Sequence, residues 1–155
     1  MKIGLISDTH DNLPEKIFDI FSDVDLIIHA GDIGSVDILS ELKKIAPVKA
    51  VYGNMDHFPL VGSLPRIDFI KAEQLTICVT HIVNNLKSFT FELFKMKKKA
   101  DVVVFGHTHR SEAREYNKIL FVNPGSVLYP RDSGSSVAVL SIQGHETGTE
   151  FFKLS

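Results

Sequence analysis

One short run of β-branched residues strongly constrains how this chain can fold. Residues 102–104 are three valines followed by Phe105, without the apolar and polar alternation of a strand that has one face in water. Gly106 then permits a sharp turn, and His107 and His109 follow it. The run predicts a strand buried on both faces that ends in two candidate metal-ligating imidazoles, with a pair of surface loop histidines as the alternative.

Similar apolar runs recur along the chain. Strands are predicted at 2–7, 24–29, 48–52, 67–70, 75–80 and 119–122, helices at 14–21, 36–45 and 89–99, a loop at 59–65, and an antiparallel hairpin from 136–142 and 147–153. The strand and helix alternation up to residue 52 indicates a parallel sheet. In such sheets, ligand sites lie beyond the carboxyl ends of the strands.

Five of the predicted strands end in residues that can ligate metals. These residues are Asp8 with His10, Asp32, Asn54, His81, and His107 with His109. Any one of them alone could be a structural hydrogen-bonding residue, but their recurrence at strand ends favours a shared site. Nitrogen and oxygen ligands without thiolate suit Mn²⁺, Fe²⁺, Co²⁺, Ni²⁺ or Zn²⁺ better than Ca²⁺ or Mg²⁺. Seven ligands exceed the needs of one such ion, whereas two ions sharing one carboxylate would use them all.

Composition and charge narrow the class of protein. The 155 residues suit a single domain, residues 1–155, and the net charge of −2 disfavours a long nucleic-acid partner. No apolar stretch reaches a membrane-spanning length, and Met-Lys leads directly into a strand, so we expect no membrane partner and a cytoplasmic location. The single cysteine, Cys78, is expected to be a small core residue. The oligomeric state stays open, a homo-oligomer included.

The motifs at these strand ends resemble those of the calcineurin-like metallophosphoesterases, in particular the small bacterial and archaeal phosphodiesterases. They are DTH at 8–10, GD at 31–32, GNMD at 53–56, a histidine at 81, GHTH at 106–109 and NPGS at 123–126, in the family's order. The resemblance implies an α/β fold of two packed mixed β-sheets flanked by helices. It also implies two metal-ligand sets, Asp8, His10, Asp32 and His109 for the first ion and Asp32, Asn54, His81 and His107 for the second, with Asp32 bridging.

The activity expected of such a centre is hydrolysis of a small phosphodiester. Two divalent ions about 3.5–4 Å apart clamp a phosphoryl oxygen and a bridging water, and they lower the pKa of that water. The bridging hydroxide attacks phosphorus in line, so the protein need supply no nucleophile. Mn²⁺ is the expected ion, with Fe, Ni, Co or Zn as alternatives. Asp56, Asn12 and the Asn123 turn are candidates for orienting the ligands.

The chain departs from the family pattern at two positions. Met55 stands where many relatives carry a histidine, and a thioether cannot donate a proton to the leaving group. The leaving group must then depart unassisted, take a proton from water, or be helped by His57, so we predict a preference for good leaving groups. Ile82 stands where relatives usually have glycine, which puts the loop at the second ion in question.

The sequence leaves alternatives to a phosphodiesterase open. The retromer subunit with this fold works as a protein-binding scaffold, so a scaffold with weak or no catalysis is one alternative. A phosphomonoesterase or nuclease would share the same site. The physiological substrate depends on loops at about 57–66, 82–89 and 111–117, which the pattern does not place. Arg131, after the NPGS motif, is either a substrate-phosphate contact or a surface arginine.

Overall fold

The computed structural model describes residues 1–132 and 134–154. Within these ranges the chain forms ten strands and four helices. The strands are β1 (Lys2–Ile6), β2 (Leu26–His29), β3 (Val48–Ala50), β4 (Ile67–Ala72), β5 (Leu75–Thr80), β6 (Val102–Val104), β7 (Ser111–Tyr116), β8 (Ile119–Pro124), β9 (Ser136–Gln143) and β10 (Glu146–Lys153). The helices are α1 (Lys16–Ile20), α2 (Val36–Lys43), α3 (Leu60–Ser63) and α4 (Leu86–Lys95).

The strands form two mixed sheets of five strands each. The first has the order β10-β9-β1-β2-β3 and the second β4-β5-β6-β8-β7. In the first sheet β1, β2 and β3 run parallel, as predicted from the strand and helix alternation. The predicted carboxyl-terminal hairpin is confirmed as β9 and β10, and β9 pairs antiparallel with β1. The end of the described chain therefore completes the sheet that its beginning starts.

Three buried clusters show how the layers are stacked. The central cluster joins the inner faces of both sheets, for example Leu5 and Ile28 from the first with Val104 from the second. Helices α1 and α2 pack on the outer face of the first sheet, and α4 covers the outer face of the second. The layer order is helix, sheet, sheet, helix, so the predicted fold class is confirmed. Because each sheet is covered on both faces, its central strands carry unbroken apolar runs.

Cys78 lies fully buried on β5, as predicted for a core residue. Burial raises the pKa of its thiol to about 12, so the sulfur stays protonated at neutral pH. None of the helices in the described ranges is both long and apolar enough to cross a membrane.

The prediction of a loop at 111–117 is wrong. Residues 111–116 form β7, which pairs antiparallel with β8 at the edge of the second sheet. The segment reads Ser-Glu-Ala-Arg-Glu-Tyr and its side chains are mostly exposed. An edge strand that buries neither face carries no hydrophobic alternation, and its charges protect the open edge from pairing with other chains. Part of the predicted loop at 59–65 likewise forms the short helix α3.

The helix predicted at 89–99 is α4, which begins and ends earlier. Asn85 caps its start, since its side-chain oxygen accepts a hydrogen bond from the amide of Ser88 (3.0 Å). At the other end Lys97 adopts a left-handed φ of 57°, and the amides of Lys97 and Lys98 donate to the carbonyls of Phe94 and Leu93. This is a Schellman termination, so the three consecutive lysines at 97–99 follow the helix instead of forming its last turn.

Candidate metal centre

The polar residues after β1, β2 and β6 form one cluster at the carboxyl ends of these strands. One ligand atom from each of Asp8, His10, Asp32 and His109 lies within 4.8 Å of the others. Oδ1 of Asp8 is 3.1 Å from Nε2 of His109 and 3.9 Å from Nε2 of His10. The structure therefore brings together the four residues predicted to hold the first ion.

The four residues predicted for the second ion meet the same cluster through Asp32. Oδ2 of Asp32 is 3.2 Å from Nε2 of His81, and the ring of His81 lies 5.3 Å from that of His107, centroid to centroid. Nδ1 of His107 is in turn 3.0 Å from Oδ1 of Asn54. Asp32 thus touches both sets, which is the position that a bridging carboxylate requires. The predicted ligand roles themselves remain predictions.

Three ligand-type atoms in the cluster lack a hydrogen-bond partner among residues 1–132 and 134–154. They are Oδ1 of Asp8, Nε2 of His10 and Nε2 of His81, and all three are buried. Both imidazole nitrogens lie 3.9 Å from that carboxylate oxygen. Buried polar atoms in proteins are nearly always hydrogen-bonded, so three atoms without a hydrogen bond this close together call for a partner. A divalent cation with nitrogen and oxygen ligands fits this arrangement.

Backbone carbonyls orient two of the imidazoles toward the cluster. Nδ1 of His81 donates to the carbonyl oxygen of Ala30, and Nδ1 of His109 donates to that of Tyr129, both at 2.7 Å. Because a carbonyl can only accept, each Nδ1 carries the ring proton and each Nε2 presents its lone pair to the cluster. Metal-ligating histidines are held in the same way in many proteins.

Charges in the cluster depend on one another. Burial raises the pKa of Asp8, and His81 offsets this only in part. Burial would also raise the pKa of Asp32, but its contacts with His81 and with the Met55 amide outweigh burial and lower it. The pKa of His81 is lowered by burial but raised overall by Asp32 and Asp8. Protons and a divalent cation therefore compete for the same atoms, and metal binding should release protons.

Backbone strain is concentrated in the predicted ligands. Five of the seven have a positive φ: Asp8 (55°), His10 (44°), Asp32 (54°), His107 (69°) and His109 (61°). Such conformations are uncommon for residues other than glycine, and each costs on the order of 1–3 kcal/mol. Strain of this kind persists only where the surrounding structure enforces it, and it clusters at functional sites.

Hydrogen bonds between neighbouring loops hold the strained backbone. The amide of Asp8 donates to the carbonyl of Gly31, and the amide of His10 donates to that of Asp32, both at 3.0 Å. Asp56, a predicted orienting residue, accepts from the amides of Ile33 (2.8 Å) and Gly34 (3.0 Å) as well as that of Gly53 (2.8 Å). Its carboxylate therefore ties the loop after β2 to the loop after β3.

Asn123, another predicted orienting residue, fixes the loop after β6. Its side-chain amide donates to the carbonyl of Gly106 and to the hydroxyl of Thr108, both at 3.0 Å, while its oxygen accepts from the Gly125 amide (2.9 Å). Asn12, the third candidate, is exposed, and its backbone amide closes a turn on the Thr9 carbonyl. The structure therefore gives Asn123, but not Asn12, a supporting contact.

His29 supports the cluster from within β2, and the sequence pattern did not single it out. It is fully buried, and Nδ1 accepts from the amide of Gly31 (3.2 Å). Nε2 then donates to the hydroxyl of Thr9 (3.0 Å), which donates to the carbonyl of Ile33 (2.7 Å). This chain of hydrogen bonds joins the loops after β1 and β2. The available signal was a lone histidine ending an otherwise apolar strand.

The buried His29 predicts a pH dependence of stability. Burial lowers its pKa from 6.5 to about 3, so between these values the unfolded chain binds the proton and the folded chain does not. The stabilisation is complete above pH 6.5 and is lost as the pH falls toward 3, at up to ~1.4 kcal/mol per pH unit. Urea unfolding with chelator at pH 7, 6 and 5 should give a smaller loss for His29→Gln than for the parent. Equal losses would contradict this assignment.

The remaining predicted residues lie at the exposed rim. Met55 is 58% exposed, and its amide donates to Oδ1 of Asp32 (2.8 Å). His57 is exposed, and no hydrogen bond joins its side chain to the cluster within the described part of the chain. Arg131 is exposed too, and its backbone amide donates to the carbonyl of His109 (2.9 Å). The contact of Arg131 with a substrate phosphate stays a prediction.

Fold and cluster together define the class: a two-sheet α/β protein with a metal-type centre where its strands end. The chain belongs to the calcineurin-like phosphoesterase superfamily, whose domain model matches residues 1–145. This confirms the resemblance inferred from the motifs.

Individual relatives agree with this placement. A probable metallophosphoesterase of Methanothermobacter thermautotrophicus is 40% identical, with 99% of this chain and 92% of that protein covered. A phosphodiesterase of Methanocaldococcus jannaschii is 36% identical over 81% of this chain and 83% of its own length. Among solved structures, a Vps29 single mutant from Entamoeba histolytica matches with a TM-score of 0.80, 19% identity and 100% of both chains covered. That last match concerns the fold alone.

Proposed function

We propose that this protein is a dinuclear metal-dependent phosphodiesterase acting on small substrates. The observation that carries the proposal is the closeness of three buried ligand atoms, on Asp8, His10 and His81, that have no hydrogen-bond partner in the described ranges and lie beside Asp32. Membership of a phosphoesterase superfamily and a phosphodiesterase-named relative support the reaction class. The net charge of −2 favours a small substrate over a long nucleic acid.

The proposed ligand sets are those that the motifs predict. Asp8, His10, Asp32 and His109 would hold one ion, and Asp32, Asn54, His81 and His107 the other, with Mn²⁺ expected and Fe, Ni, Co or Zn as alternatives. When bound, such ions supply a water of lowered pKa as nucleophile and neutralise charge on the phosphoryl oxygens.

The residues of the chain contribute positioning and shape. Asp8 and Asp32 are almost fully buried, which keeps the negative charge that faces the ions out of water. Asn54 and His107 are exposed and contact each other, so a phosphate group would reach the centre from their side. We assign Asn54 a second role, because its amide N–H groups can donate to a phosphoryl oxygen. Preorganised donors of this kind stabilise charge in the transition state.

The proposal is tested with a chromogenic phosphodiester, methyl p-nitrophenyl phosphate, hydrolysed with and without added Mn²⁺. We expect release of nitrophenolate that depends on the metal and disappears with a chelator. Absence of metal-dependent turnover, with the metal shown to be bound, would contradict the proposal and favour the alternative of a protein-binding scaffold.

Met55 predicts which substrates react fastest. Its backbone amide donates to Asp32, and its exposed side chain carries no proton to donate, so nitrophenyl esters should react much faster than alkyl esters. Met55→His places a proton donor there and should raise the rate on dialkyl phosphates by about tenfold or more, with little change on nitrophenyl esters. Met55→Gln, which cannot act as an acid, is the matched control. Unchanged rates on both substrate types would show that a missing acid is not limiting.

A further inference from the structure

A cavity opens directly beside the proposed second ion. Its volume is about 210 Å³. It is lined by Tyr52, Gly53, Asn54, Arg66, Thr80, His81 and Ile82. Two of these, Asn54 and His81, are proposed ligands of the second ion, so one wall of the cavity is also a wall of the metal centre. A phosphate group at that centre would hold one of its ester arms at the mouth of the cavity.

Three separate segments build the cavity. The amide of Tyr52 donates to the carbonyl of Pro65 (3.2 Å), which fastens the chain after α3 to the end of β3 and brings Arg66 to the site. From the second sheet, β5 ends at Thr80, and the half-buried Ile82 follows. Ile82 lies in the wall of the cavity and adds apolar surface to it.

The lining combines apolar walls with one cation. Tyr52 and Ile82 provide apolar surface, and Arg66, which also lines the cavity and is exposed to solvent, carries a guanidinium that stays charged throughout the physiological pH range. No carboxylate in the described ranges lies within 4.0 Å of that guanidinium. A volume below the ~300 Å³ at which drug-sized pockets begin excludes large groups. The cavity therefore suits a short arm that carries a negative charge.

We propose that this cavity binds one alcohol arm of the phosphodiester substrate, a short arm bearing a carboxylate or a second phosphate that pairs with Arg66. The inference rests on the proposed function, because that function places the scissile phosphate next to Asn54 and His81. It assigns Arg66 a role in substrate specificity that the motifs do not provide. Bidentate pairing with carboxylate or phosphate is the interaction for which a guanidinium is best suited.

The kinetic test compares three p-nitrophenyl phosphodiesters, with methyl, carboxymethyl or phosphoethyl as the second arm. With Mn²⁺ present, kcat/KM should be about tenfold or more higher for at least one charged arm than for methyl, and the better of the two identifies the anion. Arg66→Ala should remove this preference, so that kcat/KM for the charged arm falls to about that for the methyl arm. Arg114→Ala, an exposed arginine on the edge strand β7, is the matched control and should keep the preference.

A binding measurement separates failure of this inference from failure of the proposed function. Phosphonoacetate and methylphosphonate, neither of which is a phosphodiester, are titrated calorimetrically into the Mn²⁺-loaded parent and Arg66→Ala proteins at fixed free Mn²⁺. Tighter binding of phosphonoacetate that depends on Arg66, without turnover of any diester, would uphold anion binding by Arg66 in the cavity but overturn the phosphodiesterase and, with it, the cavity's role in diester specificity. Turnover without any Arg66-dependent preference in rate or affinity would overturn the cavity assignment alone. If neither turnover nor an Arg66-dependent preference is found, the proposed function and the cavity assignment are both overturned.

Discussion

Asp32→Ala abolishes metal-dependent phosphodiester hydrolysis, with an expected fall in kcat/KM of about a thousandfold or more. Asp32 is the carboxylate that touches both ligand sets. Its Oδ2 lies 3.8 Å from Nε2 of His10 and 3.2 Å from Nε2 of His81, and it is 3% exposed. Removing it takes away the one charge that would be shared between two cations, so both ions should bind more weakly. Steady-state kinetics on methyl p-nitrophenyl phosphate across a range of Mn²⁺ concentrations gives the measurement.

Asp19→Ala is the control for this substitution, because Asp19 is an exposed aspartate on α1, away from the cluster. Its kinetics should match those of the parent protein. Circular dichroism of both variants establishes that each is folded. If Asp32→Ala kept more than about a tenth of the parent activity in its folded form, Asp32 would not be a shared ligand.

Gly106→Ala should destabilise the protein by ~2–3 kcal/mol and weaken metal binding at the same time. Gly106 lies between strand β6 and the two histidines, directly against the residues that follow β1. A methyl group there would meet Oγ of Ser7 at 2.0 Å and Oδ2 of Asp8 at 2.8 Å. Ser7 donates a hydrogen bond to that same oxygen of Asp8 (2.7 Å). The clash should therefore displace Asp8, a proposed metal ligand, and also disturb the packing of the core. Urea unfolding gives the change in stability, and calorimetric titration with Mn²⁺ gives the change in affinity.

Gly148→Ala is the matched control, since no atom of the described residues lies within 4 Å of a methyl group at that position on β10. We expect little change in stability and none in metal affinity for it. A second variant, Ser7→Ala combined with Gly106→Ala, removes the 2.0 Å contact and should recover part of the lost stability. If Gly106→Ala were as stable as Gly148→Ala, the close approach of Gly106 to Ser7 and Asp8 would be refuted.

The layer architecture was predictable because its signals are local. A strand covered on both faces is apolar throughout, and the abrupt change to Gly-His at 106–107 or Gly-Asp at 31–32 marks where it ends. Parallel strands place those ends on one edge of the sheet. The closeness in space of the ligand-type residues could therefore be predicted from their positions directly after the strands. The structure agrees in both respects.

What the sequence pattern missed depends on contacts between distant segments. β7 carries no apolar alternation because it buries neither face, and its pairing with β8 is the only reason that it is a strand. His29 looked like the last residue of an apolar strand, and its role appears only when the loops carrying Thr9 and Gly31 meet it. Arg66 lines the same cavity as Asn54 and His81 because the Pro65 carbonyl accepts from the Tyr52 amide, a contact that no local pattern encodes.

Two metal ions bound at the joined ligand sets would together support phosphodiester hydrolysis. Titration of chelator-treated protein with Mn²⁺ tests this, with bound metal counted by elemental analysis and turnover of methyl p-nitrophenyl phosphate followed in the same samples. We expect two ions bound per chain and activity that reaches its plateau only as the second one binds. A single bound ion at full activity, or activity that persists without metal, would contradict the account.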